Sequence, residues 1–300
     1  MSILSFDPRA CTLCPRMCRA DRTKAAGRCR MPEAPVLARA ALHRWEEPPL
    51  SGTRGAGTVF FSGCSLGCVF CQNYEISQED KGKAVTPARL RAIFFELIHA
   101  GAHNIDLVNP SHYAHVVLEA LSDPLPVPVV WNSGGYDRVE TLRALEGKVQ
   151  IYLPDYKYPD EAGARRYSGA ADYPEIARAA IAEMVRQTGP YALDGDGLLT
   201  RGVVIRHLLL PGRLAQAKEV MDWVASAFPP KTVLFSLMSQ YTPMPGLERF
   251  PELRRTVSAE ENENLIHYLQ TRSLQDGFWQ EISSDGEESI PVFDGSGLDF

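Results

Sequence analysis

Short apolar runs alternate with longer segments of helical periodicity from residue 58 onward, and no other feature limits the fold as tightly. Strand, helix and strand in succession indicate β–α units, whose strands lie parallel in one sheet. Six strands are predicted, at Thr58–Gly63, Asn104–Asn109, Val127–Asn132, Val149–Pro154, Gly202–Leu210 and Thr232–Met238. Helices are predicted at Pro87–Ala100, Tyr113–Leu121, Val139–Leu145, Tyr173–Gln187, Ala215–Ala227 and Ala259–Gln270. The sequence therefore predicts an α/β fold around a parallel sheet.

Two regions of different composition divide the chain. Residues 1–57 are rich in Cys, Arg and Pro and show no clear period, so we expect a small Cys-rich N-terminal extension. Residues 58–300 carry the alternating pattern and are expected to form the core barrel with a C-terminal extension. A chain of 300 residues with 45% hydrophobic content can bury one large core, as a single α/β barrel does.

Charge and hydropathy exclude two classes of partner. With a formal net charge of −6, the chain exerts no general attraction on polyphosphates, so we expect no nucleic-acid partner. No apolar run reaches the length of about 18 residues that a membrane span needs. Residues 1–10 lack the apolar segment of a secretory signal, and a cytoplasmic location is therefore expected.

Polar side chains follow the predicted strands, at the point where each strand ends. They are Cys64, Asn109 and His112, Asn132 and Ser133, Asp155 and Lys157, and Gln240 and Tyr241. In a parallel barrel the loops from all strands converge at this rim, so the pattern predicts one site built from many segments. The alternative is that these strand ends are simply hydrated.

The seven cysteines all lie before residue 72, in two tight groups. An odd number is unsuited to a disulfide framework, and the clustering favours metal or iron–sulfur ligation. Cys64, Cys68 and Cys71 form a C-x3-C-x2-C motif in one loop after a predicted strand. Three protein thiolates on a four-iron cluster leave one iron open, whereas ordinary electron-transfer clusters take four protein ligands. The amino and carboxylate groups of S-adenosylmethionine (SAM) can fill that open position.

Two other interpretations of this motif stay open. A structural zinc site would need a fourth ligand from elsewhere in the chain. A redox-active thiol pair would leave the third cysteine without a role.

The motif is the signature of the radical SAM superfamily. The likeness extends over nearly the whole chain, and it resembles the pyruvate formate-lyase activating enzyme group, within it the PflX-type branch. It is carried by Phe60–Asn73, Trp131–Tyr136, Leu153–Lys157, Arg206–Gly212 and Met238–Tyr241. The resemblance implies a partial (β/α)6 TIM-type barrel, the radical SAM fold, open at its side for the substrate.

The resemblance also implies ligands for two cofactors. Cys64, Cys68 and Cys71 would bind a 4Fe–4S cluster. Phe70, the aromatic residue that this family prefers before the last cysteine, would lie near the adenine of SAM. Gln240, in the last matching segment, is a further candidate cofactor-binding residue.

Charged and polar residues at the rim match further positions of the activating enzymes. Lys157 and Arg206 occupy places where that group contacts SAM, and a cation there suits the carboxylate through charge-assisted hydrogen bonds. Asn132, Ser133 and Asp155 match a loop and strand that hold a monovalent cation beside SAM. Asn132 replaces a carboxylate at that site and weakens it.

One segment departs from the activating enzymes, which carry Gly-Gly-Glu-Pro after the second strand to hold the SAM amine. This chain has Leu107-Val-Asn-Pro-Ser-His112 instead. Asn109 or Ser111 could donate hydrogen bonds there without supplying charge, so Asn109 is a further candidate for binding the cofactor. His112 is as typical of an ordinary helix start as of a residue in the site.

The first cysteine group, Cys11, Cys14, Cys18 and Cys29, fits an all-cysteine zinc site or a second iron–sulfur cluster equally. With every ligand supplied by protein, such a site is closed, and hence structural or electron-relaying. Arginines surround it, at positions 16, 19, 22, 28 and 30. Their charge could favour thiolates, or it could present a basic face to an electron donor such as flavodoxin or ferredoxin.

An acidic pair, Glu46 and Glu47, lies in the stretch His43–Pro49, just before the predicted core. This stretch resembles part of the PflX-type relatives. We expect the two carboxylates to anchor a loop in preference to a direct catalytic role.

Three hypotheses for function follow. The leading one is an activase that cleaves SAM to methionine and a 5′-deoxyadenosyl radical, which abstracts hydrogen from a glycine of a partner glycyl radical enzyme or from a comparable C–H bond. The second is a radical SAM enzyme that acts on a small molecule or another peptide. The third is a non-catalytic iron–sulfur or zinc protein. The sequence assigns no catalytic residue and names no substrate.

Overall fold

A computed structural model of the chain describes residues 4–24, 27–272, 274, 276–280 and 291–299. Its strands are β1 (Val36–His43), β2 (Ala56–Phe61), β3 (Lys83–Ala84), β4 (Ile105–Val108), β5 (Val129–Ser133), β6 (Ile151–Pro154), β7 (Ala192–Leu193), β8 (Leu199–Leu208), β9 (Leu234–Met238) and β10 (Gly277–Trp279). Its helices are α1 (Pro48–Ser51), α2 (Tyr74–Ser77), α3 (Pro87–His99), α4 (Ala114–Ala120), α5 (Val139–Ala144), α6 (Glu161–Ser168), α7 (Tyr173–Thr188), α8 (Leu214–Ala227) and α9 (Ala259–Gln270). Within the described ranges, none of the helices combines the length and the apolar character needed to cross a bilayer.

One mixed sheet connects the strands, and most neighbours in it are parallel. Its order is β10–β9–β8–β6–β5–β4–β2–β1–β3, with β7 paired to β8 at the side. Every pair from β2 through β4, β5, β6, β8 and β9 to β10 is parallel, whereas β1 is antiparallel to β2 and β3. All six predicted strands form and lie side by side in chain order, so the predicted α/β fold with a parallel sheet is confirmed. Its curvature into a partial barrel stays a prediction.

Two helix starts follow from local hydrogen bonding. Thr86 accepts a hydrogen bond from the Arg89 N–H at 3.1 Å, directly ahead of Pro87, which supplies a helical φ at the first position. Ser258 and Glu261 form a reciprocal capping box, with distances of 3.1 and 2.9 Å. These contacts confirm the predicted starts of α3 and α9.

Strand β1 is not predicted from the sequence. Its residues, Val-Leu-Ala-Arg-Ala-Ala-Leu-His, contain alanine where a typical strand has β-branched or aromatic side chains. The strand nevertheless pairs with β2, because Leu37, Ala38 and Ala40 are buried in the core and their backbone groups need partners. The sheet therefore begins within residues 1–57, the range assigned to the N-terminal extension.

The carboxyl ends of β5 and β6 pack closely at the edge of the sheet where the predicted site lies. Gly135, in the turn after β5, has a φ of +73°, and a Cβ atom there would lie 2.0 Å from the carbonyl oxygen of Asp155. Only glycine adopts this conformation without strain and leaves room for that carbonyl. The turn thus brings the polar residues that follow the two strands next to each other.

Candidate functional site

A cavity of about 680 Å³ lies at the carboxyl ends of the parallel strands. It is lined by the residues that the sequence assigned to the 4Fe–4S cluster, to SAM and to the monovalent cation, apart from Ser111. These residues are Cys64, Cys68, Cys71, Phe70, Asn109, Asn132, Ser133, Asp155, Lys157, Arg206 and Gln240. The structure therefore brings side chains from β2, β4, β5, β6, β8 and β9 into one site, and their roles there stay predictions.

The three cysteines of the motif share a loop whose sulfur atoms accept hydrogen bonds. The donors are the Leu66 N–H to Cys64 at 3.4 Å, the Ser168 hydroxyl to Cys68 at 3.0 Å and the Ser77 hydroxyl to Cys71 at 3.4 Å. Burial, together with the neighbouring thiols, raises the pKa of Cys71 to about 12 and raises that of Cys64 as well. A metal centre that binds these sulfurs as thiolates would release their protons. The sulfur-directed donors and the shared loop fit an iron–sulfur cluster.

Phe70 and Gln240 occupy different parts of the cavity wall. The Phe70 ring is buried and packs edge-on against Tyr158, Tyr167 and Tyr241, with ring centroids 6.2–6.4 Å apart. The Gln240 carbonyl accepts a hydrogen bond from the side-chain amide of Gln72, one residue after Cys71, at 3.3 Å. Phe70 therefore provides an aromatic surface beside the cysteine loop, as its predicted position near adenine requires.

Asp155 joins the two cations of the site. Its carboxylate accepts hydrogen bonds from Lys157 Nζ at 2.5 Å and from Arg206 Nε at 2.9 Å. Burial opposes the charged form, but Lys157 and Arg206 hold the pKa of Asp155 below its ordinary value. Burial also opposes the charge on Lys157, yet Asp155 and then Cys68 raise its pKa. All three groups are therefore charged at neutral pH.

Arg206 also contacts acceptors on its other side. Its guanidinium donates to Asn132 Oδ1 at 2.6 Å and to Glu46 Oε2 at 3.4 Å, and it lies 3.9 Å from Glu47 Oε1. The Asn132 amide in turn donates to Asp106 Oδ2 at 3.2 Å. Each of the three nitrogens of Arg206 thus already donates to a side-chain oxygen, whereas Asp155 takes one of the three donors of the Lys157 ammonium group.

Three carboxylates of this network are not among the candidate site residues. Glu46 and Glu47, expected as loop anchors, both line the cavity and contact Arg206. Asp106 is fully buried in β4, and one of its carboxylate oxygens has no hydrogen-bond partner. Burial raises the pKa of Glu47 to about 7, although Arg206 opposes the shift, and burial and then Glu46 raise that of Asp106 well above its ordinary value. A lone acidic residue within an apolar strand was the available sequence signal for Asp106.

Asn109 and Ser133 line the cavity but differ in what their side chains contact. Asn109 has a φ of +59°, which asparagine tolerates better than most residues, and its amide donates to the Gly63 carbonyl at 2.5 Å. The Ser133 hydroxyl donates to the buried carboxylate of Asp137 at 2.5 Å. Ser111 donates to the same carboxylate at 2.6 Å and does not line the cavity. Of the two residues considered for the SAM amine, Asn109 is therefore the one in the site.

The residues predicted to hold a monovalent cation are occupied by protein donors. Asn132 Oδ1 and Asp155 Oδ1 both accept from Arg206, and Asp155 Oδ2 accepts from Lys157. A guanidinium already lies where these oxygens converge, so the arrangement gives the cation prediction no support.

The first cysteine group lies outside the cavity. Cys11, Cys14 and Cys29 are buried and Cys18 is exposed. Burial raises the pKa of Cys14 to about 12, and the other three thiols act in the same direction. The Arg19 N–H donates to the Cys11 carbonyl at 3.0 Å, so the residue after Cys18 lies against Cys11. In the part of the chain that the structure describes, no three His, Cys, Asp or Glu side chains are arranged to hold a single metal ion.

Comparisons with known proteins give distant similarities. No known family model matches the sequence. An uncharacterized protein of Methanocaldococcus jannaschii is 28% identical over 274 residues, which cover 88% of this chain and 75% of that protein. SuiB of Streptococcus suis, solved bound to S-adenosylmethionine, matches 76% of this chain with a TM-score of 0.48 and 11% identity. The structure of SuiB bound to the precursor peptide SuiA matches 73% of it, with a TM-score of 0.47 and 11% identity.

This chain spans about half the length of the SuiB chains, 50% of one and 46% of the other. Similarities at this level assign neither a family nor a function.

Proposed function

We propose that this protein is a radical SAM enzyme, with a 4Fe–4S cluster on Cys64, Cys68 and Cys71. The observation that carries the proposal is that these three sulfurs line the same cavity as Lys157 and the aromatic ring of Phe70. A site of this composition offers thiolates for iron, a cation for a carboxylate and an apolar surface for a nucleobase. When bound and reduced, such a cluster supplies one electron to the sulfonium of SAM, which yields methionine and a 5′-deoxyadenosyl radical.

The side chains of the chain have separable tasks in this proposal. Lys157 binds the cofactor carboxylate, because its ammonium group has donors beyond the one taken by Asp155. Asp155, which also accepts a hydrogen bond from Arg206, holds the Lys157 ammonium group in position. Phe70 and the tyrosines packed on it exclude water from that side of the cavity, which protects a reactive radical.

Release of 5′-deoxyadenosine tests the proposal. Anaerobically reconstituted protein with dithionite and SAM should release it, and iron and sulfide analysis should find at least about four irons on the chain. A Cys68→Ala variant is the control and should release none. No release from wild-type protein with a full cluster would refute the assignment.

For the reaction that follows, we propose hydrogen abstraction from a protein glycine, as in activase chemistry. Trp45 and Trp279 line the mouth of the cavity, with 66% and 48% of their surfaces exposed. Large exposed aromatic side chains beside a cavity are typical of surfaces that contact another macromolecule. Incubation with a glycyl radical enzyme as partner should give a glycyl radical signal by electron paramagnetic resonance, and deuterium should pass from its labelled glycine to 5′-deoxyadenosine.

A second candidate is a radical SAM enzyme that acts on a small molecule or another peptide. It is favoured by Asn109, which stands in the cavity where the activating enzymes have their Gly-Gly-Glu-Pro stretch. Deuterium transfer from a small molecule or a peptide, with no glycyl radical, would select this candidate over the activase.

An electron donor completes the proposal. Arg19, Arg28 and Arg30 are exposed arginines of the segment that carries the first cysteine group, and their charge suits an acidic protein such as flavodoxin or ferredoxin. Reduction of the cluster by such a donor should slow as salt is raised, while reduction by dithionite should not show the same dependence.

A further inference from the structure

The N-terminal segment with the first cysteine group contacts the Cys64–Cys71 loop through two arginines. The Arg16 guanidinium donates to the carbonyl of Ser65, inside the loop, at 2.8 Å. It also donates to the Ser168 carbonyl at 2.9 Å, and the hydroxyl of Ser168 donates to Cys68. Arg28 donates to the carbonyl of Leu66, again inside the loop, at 3.1 Å. Two backbone carbonyls between the first and second cysteine of the motif are thus held by the N-terminal segment.

A backbone contact joins the two cysteine groups more directly. Gly63, the residue before Cys64, has a φ of +78°. A Cβ atom there would lie 2.2 Å from the Met31 side chain and 2.7 Å from the carbonyl oxygen of Cys29. The peptide of Cys29 therefore lies against the start of the motif loop, and any movement of one displaces the other.

The segment that makes these contacts has little regular structure of its own. Among the described residues from 4 to 35, the structure has one short 3-10 helix, at Arg22–Lys24. The Arg22 guanidinium is 1% exposed and ties the segment together by donating to the carbonyls of Met31 and Pro32. Local contacts also bring the cysteines together, because the Arg19 N–H donates to the Cys11 carbonyl at 3.0 Å and a Cβ atom at Gly27 would lie 3.4 Å from Cys18 Sγ. Small segments without a hydrophobic core commonly depend on a metal centre for their fold.

We propose that Cys11, Cys14, Cys18 and Cys29 bind an iron–sulfur cluster that holds the Cys64–Cys71 loop in place, since the described residues offer no set of ligands for a single metal ion. Four protein thiolates close the coordination, so this centre does no chemistry on substrate. Loss of this centre frees Arg16, Arg28 and the Cys29 peptide. The Cys64–Cys71 loop then loses the contacts that hold its backbone in place. The coupling between the two centres rests on the proposed function, whereas metal binding by the first group does not.

Metal content tests the site itself. A loop variant, Cys64→Ala/Cys68→Ala/Cys71→Ala, should still carry iron with acid-labile sulfide. A Cys14→Ser/Cys18→Ser variant should lose that metal. Elemental and sulfide analysis measures both components, and a loop variant that lacks iron and sulfide, or that carries zinc in their place, would overturn the proposal. If the proposed function is wrong, wild-type protein should carry no more metal than the loop variant. This result is separate from the one that tests the first cysteine group.

Hydrogen exchange of the loop backbone, in otherwise fully loaded protein, tests the coupling. Peptides that cover residues 64–71 should exchange at least about tenfold faster in the Cys14→Ser/Cys18→Ser variant and in Arg16→Gln, which keeps all seven cysteines. Arg19→Gln, a matched change at an exposed arginine of the same segment, should leave exchange unchanged. Hydrogen exchange in strand β5 is the control for the global fold. If exchange in β5 also changes in the cysteine variant, the coupling is judged from Arg16→Gln alone. Unchanged loop exchange in Arg16→Gln would overturn the coupling.

Discussion

Replacement of Arg206 by methionine should destabilise the protein strongly, because this guanidinium is the centre of a buried network of carboxylates. The side chain is 15% exposed and lies within 4.0 Å of Asp155, Glu46 and Glu47. Removal of one partner from a buried ion pair leaves the other charge uncompensated and costs about 3–5 kcal/mol. We expect the free energy of unfolding at pH 8 to fall by that amount.

The loss should also depend on pH, with a sign that follows from the carboxylates. In the folded protein Glu47 has a pKa of about 7, and Asp106 has a pKa well above its ordinary value, so both retain protons that the unfolded chain releases nearer pH 4. A folded state that binds more protons loses stability as pH rises. Arg206 opposes both shifts, so its removal raises the two pKa values further. The difference in free energy of unfolding between wild type and Arg206→Met should therefore be smaller at pH 5.5 than at pH 8, by at least about 1 kcal/mol.

Anaerobic urea unfolding followed by far-ultraviolet circular dichroism measures both effects, with variants compared at equal metal loading. Arg201→Met is the matched control, since it makes the same change at an exposed position of the same strand, and it should stay within about 0.5 kcal/mol of wild type. A loss below about 1 kcal/mol for Arg206→Met at pH 8, or a loss that does not change with pH, would refute the electrostatic account of this network.

Three further substitutions test other parts of the structure. Gly135→Ala places a Cβ 2.0 Å from the Asp155 carbonyl at a φ of +73°, so thermal unfolding should show a loss of about 2–4 kcal/mol, whereas Gly195→Ala, in open space, should be nearly neutral. Ser258→Ala removes the capping box of α9 and should cost about 1 kcal/mol in chemical unfolding; no loss would mean that the box adds nothing. Lys157→Met should weaken SAM binding at least about tenfold in equilibrium dialysis while iron content stays the same, and equal binding would place the carboxylate elsewhere.

The order of the sheet could be predicted because its strands are short apolar runs separated by helical segments. Thr58–Gly63 and Val149–Pro154 are recognisable from their apolar content alone, and parallel strands in chain order follow from the β–α alternation. Strand β1 could not be predicted, because its alanines are compatible with helix and its strand conformation depends on pairing with β2. Tertiary pairing overrides local propensity at such positions.

Many residues of the site could be predicted from the sequence, but the contacts between them could not. The C-x3-C-x2-C motif and most of the polar residues after each strand line the cavity, whereas His112 and Tyr241 do not. They do not show that Arg206 binds Asn132 and Glu46, since those partners come from β5 and from the segment before β2. Such choices depend on distances across the sheet, which no local pattern encodes.

The origin of the site residues has a consequence for how the protein matures. The cysteines that would hold iron lie within one loop that precedes the strands supplying Lys157 and Arg206, so a nascent chain carries all three cysteines before those strands are made. The polar residues that surround Lys157 come from separate strands, the last of them far along the chain, and meet only after the sheet has assembled. A chain interrupted before β8 should therefore acquire iron yet fail to retain the nucleoside cofactor.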